Sequence, residues 1–225
     1  MKVNVFLAHF DDAIGYDLEI SHDDATIQDY LDGLNNFQEK HVSSCKGCDG
    51  CCYERIPLTS IDVLRYLADP DILSQLNKNI PPLSSFIHNY CHVLGNGPVM
   101  DISLKRNPDQ SCIFLNQGEK ICQNHISRSF VCQSFVCLPH SERAGRLRDI
   151  LLNVGEDDLV HRYLKEAEEK GAALVIHENH NAAPSLADYP GNSFTGKSHY
   201  HQIPIKDVVP IDLWQELCLN THSRI

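Results

Sequence analysis

Cationic side chains are scarce in this chain, and that scarcity argues against one large class of partners. The 225 residues include 19 lysines and arginines against 30 aspartates and glutamates, a formal net charge of −11. Affinity for nucleic acid depends largely on lysine and arginine replacing counterions along the phosphate backbone. We therefore expect no nucleic-acid partner.

Long apolar runs are also missing. The N-terminal apolar stretch at residues 3–7 is too short for the core of a signal peptide, and no later segment approaches the roughly 20 apolar residues that span a bilayer. The sequence thus predicts no membrane partner and a cytoplasmic location. In a reducing compartment, closely spaced cysteines indicate metal binding or redox chemistry before disulfides.

Recognisable catalytic motifs are absent as well. No glycine-rich nucleotide loop follows a predicted strand, and no nucleophile is paired with a base. The stretch 177–180, His-Glu-Asn-His, has its histidines three residues apart, whereas a zinc-protease helix requires four. The sequence therefore names no catalytic residue and leaves open whether the protein is an enzyme.

What the sequence has in abundance is cysteine. Eight of its ten cysteines form two groups, namely Cys45, Cys48, Cys51 and Cys52, then Cys112, Cys122, Cys132 and Cys137. The first group consists of two overlapping C-x-x-C units in which glycine precedes the second cysteine, and glycine lets a chain wrap tightly around an ion. Side chains of adjacent residues usually diverge, so Cys51 and Cys52 are expected to serve different centres or different atoms of one cluster.

Several ligand arrangements fit these thiols. Eight thiols would fill two tetrahedral zinc sites, or one iron–sulfur cluster with thiols to spare. His125 and His140 are possible alternative ligands, because each ends a C-x-x-H unit. Buried apolar thiols and disulfides are competing interpretations, which the glycine-rich first group and the expected compartment disfavour. Cys91 and Cys218 lie in apolar helical patterns and are predicted to be core residues.

The order of these residues resembles the YkgJ-like cysteine-cluster family, the CxxCxxCC domain. The resemblance rests on Cys-x2-Cys-x2-Cys-Cys, on Cys112-Ile-Phe-Leu, and on Cys122 followed by Arg128, Cys132 and Phe135. It covers about residues 45–137. The family pattern has Tyr, Pro and Arg where this chain has His125, Ser129 and Gln133, although every cysteine of the pattern is present.

The resemblance implies chelation of zinc or iron by the eight cysteines and supplies no reaction. We predict a site that is mainly structural or a binding module. The alternative is an iron–sulfur redox protein or enzyme using the same cysteines, and a third possibility is metal handling with readily exchanged ions. A related cluster occurs in flagellin lysine methylases, but the missing nucleotide loop gives methyl transfer little support.

Hydrophobic spacing predicts an α+β fold, mostly helical, with a short hairpin and an irregular, metal-organised, cysteine-rich centre. We predict one domain over residues 1–225, in which 1–44 form a strand and a helix, 45–137 the metal-binding core, and 138–225 a helical C-terminal region. Helices are predicted after an N-cap at Asp24 and at 61–68, 71–76, 84–94, 141–152, 156–170 and 210–219. Strands are predicted at 3–7, 99–104, 112–115 and 172–176.

Overall fold

A computed structural model describes residues 1–42 and 47–218. Its α-helices are α1 (Ile27–His41), α2 (Ser60–Leu67), α3 (Pro70–Ser74), α4 (Pro82–Tyr90), α5 (Phe130–Ser134), α6 (Glu142–Lys170) and α7 (Ile211–Cys218). Its strands are β1 (Val3–Phe10), β2 (Ala13–Ile20), β3 (Cys91–Asn96), β4 (Val99–Leu104), β5 (Leu115–Asn116), β6 (Ile121–Cys122) and β7 (Glu178–His180). Helix accounts for 42% and strand for 19%, so the α+β class is confirmed while a mostly helical chain is not.

The described residues fall into two compact units. The first comprises residues 1–42, 133–153 and 196–218, and the second comprises 47–132 and 154–195. No described helix is both long and apolar enough to cross a membrane.

The first unit is built on a two-stranded antiparallel sheet. The strand predicted at 3–7 extends to Phe10, and β2 pairs with it from Ala13, in a segment where no strand was predicted. The N-cap prediction for α1 was also wrong. Thr26 caps the helix, because its hydroxyl accepts from the Asp29 N–H while the Asp29 carboxylate accepts from the Thr26 N–H. Asp24 instead pairs with Lys2 at 2.9 Å.

Helix α6 is continuous where two helices were predicted. Gly155 lies inside it, and a Cβ at this position would lie 2.6 Å from Thr59 Cγ2 and 2.9 Å from Phe194 Cε1. The missing side chain therefore lets these residues pack directly against the helix backbone. This packing compensates for the helix propensity that glycine lacks.

The second unit contains the three-stranded sheet β4-β3-β7. Strands β3 and β4 are antiparallel, and Gly97 forms the turn between them at a φ of 55°. Cys91 was placed in a helix but is the first residue of β3, and it is fully buried as a core residue. The strand predicted at 172–176 is displaced to Glu178–His180, which pairs in parallel with β3.

Glu156 on α6 is a half-buried carboxyl group whose burial raises its pKa from 4.5 to about 7, although Arg55 nearby opposes the shift. The unfolded chain would release this proton near the ordinary value. Between the two values the folded state binds more protons, so its stability falls as the pH rises through this window. Ionised Glu156 thus destabilises the folded protein at neutral pH and above.

We expect Glu156→Gln to raise the free energy of unfolding by about 2 kcal/mol near pH 8, and by about half as much near pH 5.5. Urea denaturation at the two pH values measures both differences. Glu168→Gln, at an exposed position on the same helix, is the control and should change stability by less than about 0.5 kcal/mol. A gain at Glu156 that does not depend on pH would contradict the assignment.

Candidate metal centre

Cys51 and Cys52, the last two cysteines of the first group, lie in a single turn of 3₁₀ helix at Gly50–Tyr53. The Cys52 N–H donates to the Asp49 carbonyl at 2.9 Å. The Cys52 carbonyl accepts from the Cys112 N–H at 2.7 Å. This backbone bond joins the two cysteine groups across sixty residues of sequence.

Cys122 is brought to Cys112 by the short β5-β6 ladder. Leu115 pairs with Cys122 in this ladder, and the Gln123 N–H donates to the Phe114 carbonyl at 2.8 Å. The chain then turns back, with the His125 N–H donating to the Cys122 carbonyl at 3.2 Å. Pairing between the strands thus fixes the separation of two thiols that lie ten residues apart in the sequence.

Cys132 lies on α5, whose start is held by α2. The carboxylate of Asp62, which is fully buried, accepts from the Phe130 N–H at 2.8 Å. The guanidinium of Arg65 donates to the carbonyls of Ile126 at 3.1 Å and Arg128 at 3.3 Å. Helix α2 therefore organises the segment between Cys122 and Cys132.

Five thiols are electrostatic neighbours in the second unit. We call this set the five-thiol cluster: Cys51, Cys52, Cys112, Cys122 and Cys132. Each of them changes the pKa of at least one other member. The fold thus brings together five of the cysteines predicted from the sequence.

Burial opposes ionisation of all five thiols and has the largest effect on the pKa of three of them. It raises the pKa of Cys112 to about 11 and that of Cys132 to about 12, and it also raises the pKa of Cys122. A buried thiolate without a counter-charge is costly, because the low-dielectric surroundings cannot replace its hydration. A bound cation would supply the missing charge.

Polar N–H and O–H groups lie near the same sulfur atoms and favour their ionised forms, although the Ser129 hydroxyl, which is buried, has no hydrogen-bond partner within the usual distance and angle limits. The Phe114 N–H opposes the raised pKa of Cys112, the Asn124 N–H does so at Cys122, and the Ser129 hydroxyl does so at Cys132. In the first two cases the donor lies two residues after the cysteine. These donors would stabilise metal-bound thiolates and fix their orientation.

Cys51 and Cys52 share a hydrogen bond between their side chains. This contact is the largest cause of the raised pKa of Cys51 and of the lowered pKa of Cys52. The two thiols therefore lie close together in this 3₁₀ turn, and their binding to different centres, or to different atoms of one cluster, stays a prediction. Both thiols face the same cluster.

The remaining predicted ligands are placed differently. Cys48 is exposed, Cys45 lies outside the described residues, and Cys137 is exposed in the first unit. The ring of His140 belongs to that unit as well, where it lies 5.9 Å from the ring of Tyr16. His125 is half-buried three residues beyond Cys122.

Among the residues that the structure describes, no three His, Cys, Asp or Glu side chains already have the arrangement of a coordination sphere. The five thiols are neighbours that would have to draw together around an ion. Their donor chemistry nevertheless suits a thiophilic metal, because thiolates with N–H donors on their sulfur atoms are the ligands of zinc–cysteine and iron–sulfur sites.

Sequence reasoning missed the residues that support the cluster. Asp62 was not singled out, although the spacing Thr59-x-x-Asp62 is that of a capping box and could have marked it. Ser129 was treated only as a departure from the family pattern. Arg128, which carried part of the family resemblance, lowers the pKa of Cys122 and so lies near its sulfur.

The described residues thus form an α+β protein in which five cysteine thiols lie near one another. Residues 44–149 match the model of the CxxCxxCC family, whose description is “Putative zinc- or iron-chelating domain”. The matched segment contains all eight cysteines of the pattern, and the resemblance to the CxxCxxCC domain, inferred from their order, is thereby confirmed. Comparison with curated proteins and with solved structures gave no match.

Proposed function

We propose that the protein binds zinc or iron through the five-thiol cluster and that the metal stabilises the fold of the surrounding residues. The observation that carries the proposal is the convergence of five thiols from four separate chain segments, each of which changes the pKa of at least one of the others. The ligands must be deprotonated to bind, so binding would release protons and add folding free energy.

The proposal extends to the other predicted ligands. Cys45, Cys48 and Cys137 would complete a site of eight cysteines, with His125 and His140 as alternative ligands. Residues 45–137 would then be the metal-organised core of a single domain, which agrees with the extent of the family match. A cytoplasmic protein is consistent with so many thiols, which a reducing compartment keeps available for metal.

An iron–sulfur cluster is the second candidate, because the number of converging thiols is sufficient to hold one. Four thiolates suffice for a tetrahedral zinc site or for one cluster, so five neighbours leave one thiol for a second centre or for exchange of ligands. Zinc would serve as a structural link or a Lewis acid, whereas an iron–sulfur centre would carry electrons. The visible absorption spectrum separates them, because zinc thiolates are colourless and iron–sulfur clusters absorb and bleach on reduction.

We expect removal of the metal to loosen the second unit selectively. The metal is removed anaerobically with a strong chelator, and backbone hydrogen exchange is then measured by mass spectrometry. We expect faster exchange after metal removal in peptides from 47–58 and 111–132. Peptides from α1 are the internal control and should keep their protection. Unchanged exchange around the cysteines after proven loss of metal would contradict a structural role.

A further inference from the structure

A pocket of about 610 Å³ lies in the second unit on the outer face of the sheet β4-β3-β7. This volume falls within the range of about 300–1,000 Å³ that is typical of small-molecule sites. The residues at the bottom of the pocket come from the outward-facing positions of the strands. Cys91 and Val93 point into the core, so the alternate residues His92 and Leu94 face outward. Their partners continue the same face, because Ser103 is opposite His92 and Glu178 is opposite Leu94.

The walls of the pocket continue directly from the cysteine segments. Arg55 lines one side, three residues after Cys52, and the chain that follows it runs along β4, where the Leu104 N–H donates to the Ile56 carbonyl at 2.9 Å. Arg106 lines the other side, in a β-bridge with Cys112. The pocket is therefore adjacent to the five-thiol cluster.

The pocket is lined mainly by positively charged side chains, although the chain as a whole is negatively charged. Three permanent cations line it, Arg55, Lys105 and Arg106, whereas Glu178 is its single carboxylate. The whole chain carries a formal charge of −11. A local excess of positive charge in an acidic protein attracts anions selectively to that place.

Internal contacts leave part of this positive charge available. Arg55 is paired with Asp101, and Glu178 Oε1 lies 3.0 Å from His92 Nε2. The Lys105 ammonium donates to the His88 carbonyl, a neutral group, at 2.7 Å. Arg106 is exposed and forms no ion pair with any residue in the described ranges. Neither Arg106 nor Lys105 is therefore neutralised by a carboxylate among these residues, although the charge of Arg106 also lowers the pKa of the Cys112 thiol.

We propose that this pocket binds a small molecule carrying an oxyanion group, either a phosphate or a carboxylate. Arginine presents a planar fork of N–H donors that matches two oxygen atoms of such a group, and lysine adds a point charge. Leu94 would cover the apolar part of the ligand, and Ser103 and Gln110 would offer hydrogen bonds.

Isothermal titration calorimetry of the full chain, purified anaerobically with its metal, tests the proposal with inorganic phosphate and with succinate as separate probes. We expect saturable binding of at least one probe, and we expect Arg106→Gln to weaken it by about tenfold or more, as the loss of a charged hydrogen bond predicts. Binding of phosphate alone identifies a phosphate-bearing ligand, and binding of succinate alone a carboxylate.

Lys78→Gln is the matched control, since it removes one positive charge from an exposed position of the same unit. Its affinity should stay within about twofold of the parent, because exposed charges outside the site act only through a screened field. Metal content is measured in every variant, so that an anion bound at the metal is recognised. No saturable binding of either probe, an equal loss in both variants, or binding that persists in Arg106→Gln would overturn the proposal.

Discussion

Replacement of Cys112 by serine is expected to remove most of the bound metal and to lower the melting temperature of the protein. Cys112 is nearly fully buried. Its N–H donates to the Cys52 carbonyl, and its thiol interacts electrostatically with that of Cys51, so both join it to the first cysteine group. Replacement of a residue that only supports a metal ligand lowers metal affinity by up to about 100-fold. Loss of a thiolate ligand itself should therefore lower the affinity by more than about 100-fold. Elemental analysis of the purified variant measures the metal directly.

Cys218→Ser is the matched control for this experiment. Cys218 was predicted to be a core residue but is exposed at the end of α7, in the first unit, and it is outside the cysteine pattern. Its replacement should leave metal content and melting temperature unchanged. Retention of the full complement of metal by Cys112→Ser would contradict the assignment of this thiol as a ligand.

Asp62→Ala should lower the free energy of unfolding by about 4 kcal/mol. The carboxylate accepts from the Thr59 N–H at 3.0 Å and from the Phe130 N–H at 2.8 Å, and the side chain is fully buried. Its removal leaves two buried donors unpaired, each costing about 1–3 kcal/mol, and also opens the capping box of α2. Chemical denaturation of the full chain measures the loss.

Asp69→Ala provides the comparison, because Asp69 caps α3 from a less buried position and accepts from Asp71 N–H at 2.9 Å. Loss of an ordinary N-cap costs about 1 kcal/mol. Similar losses for the two variants would mean that the bond from Asp62 to Phe130 contributes little. A clearly larger loss for Asp62 would establish that α2 anchors the segment leading to Cys132.

Local signals in the sequence were sufficient for part of the fold. A helix was predicted at 61–68, and α2 covers Ser60–Leu67, because Thr59 and Asp62 form a capping box at its start. Strand β4 was predicted at its observed bounds, 99–104, next to the turn at Gly97. Long-range contacts decided the rest. Cys91 begins a strand because β4 pairs with it, and Gly155 stays helical because Thr59 and Phe194 pack against it.

The candidate site divides in the same way. Spacing alone identified the cysteines, since chelation needs particular residue types at short intervals. Which thiols become neighbours depends on the Cys52–Cys112 backbone bond, on the β5-β6 ladder and on the anchor at Asp62. None of these contacts has a signature in the cysteine pattern itself. The anion pocket could not be predicted from the sequence either, because its walls come from segments separated by about fifty residues.

Metal analysis of the full chain, purified without exposure to air, tests the central claim most directly. The account predicts at least one equivalent of zinc or iron per chain, with Cys51, Cys52, Cys112, Cys122 and Cys132 protected from alkylation until a chelator is added. A folded protein that contains neither metal, and whose five thiols react as freely before the chelator as after it, would contradict the account.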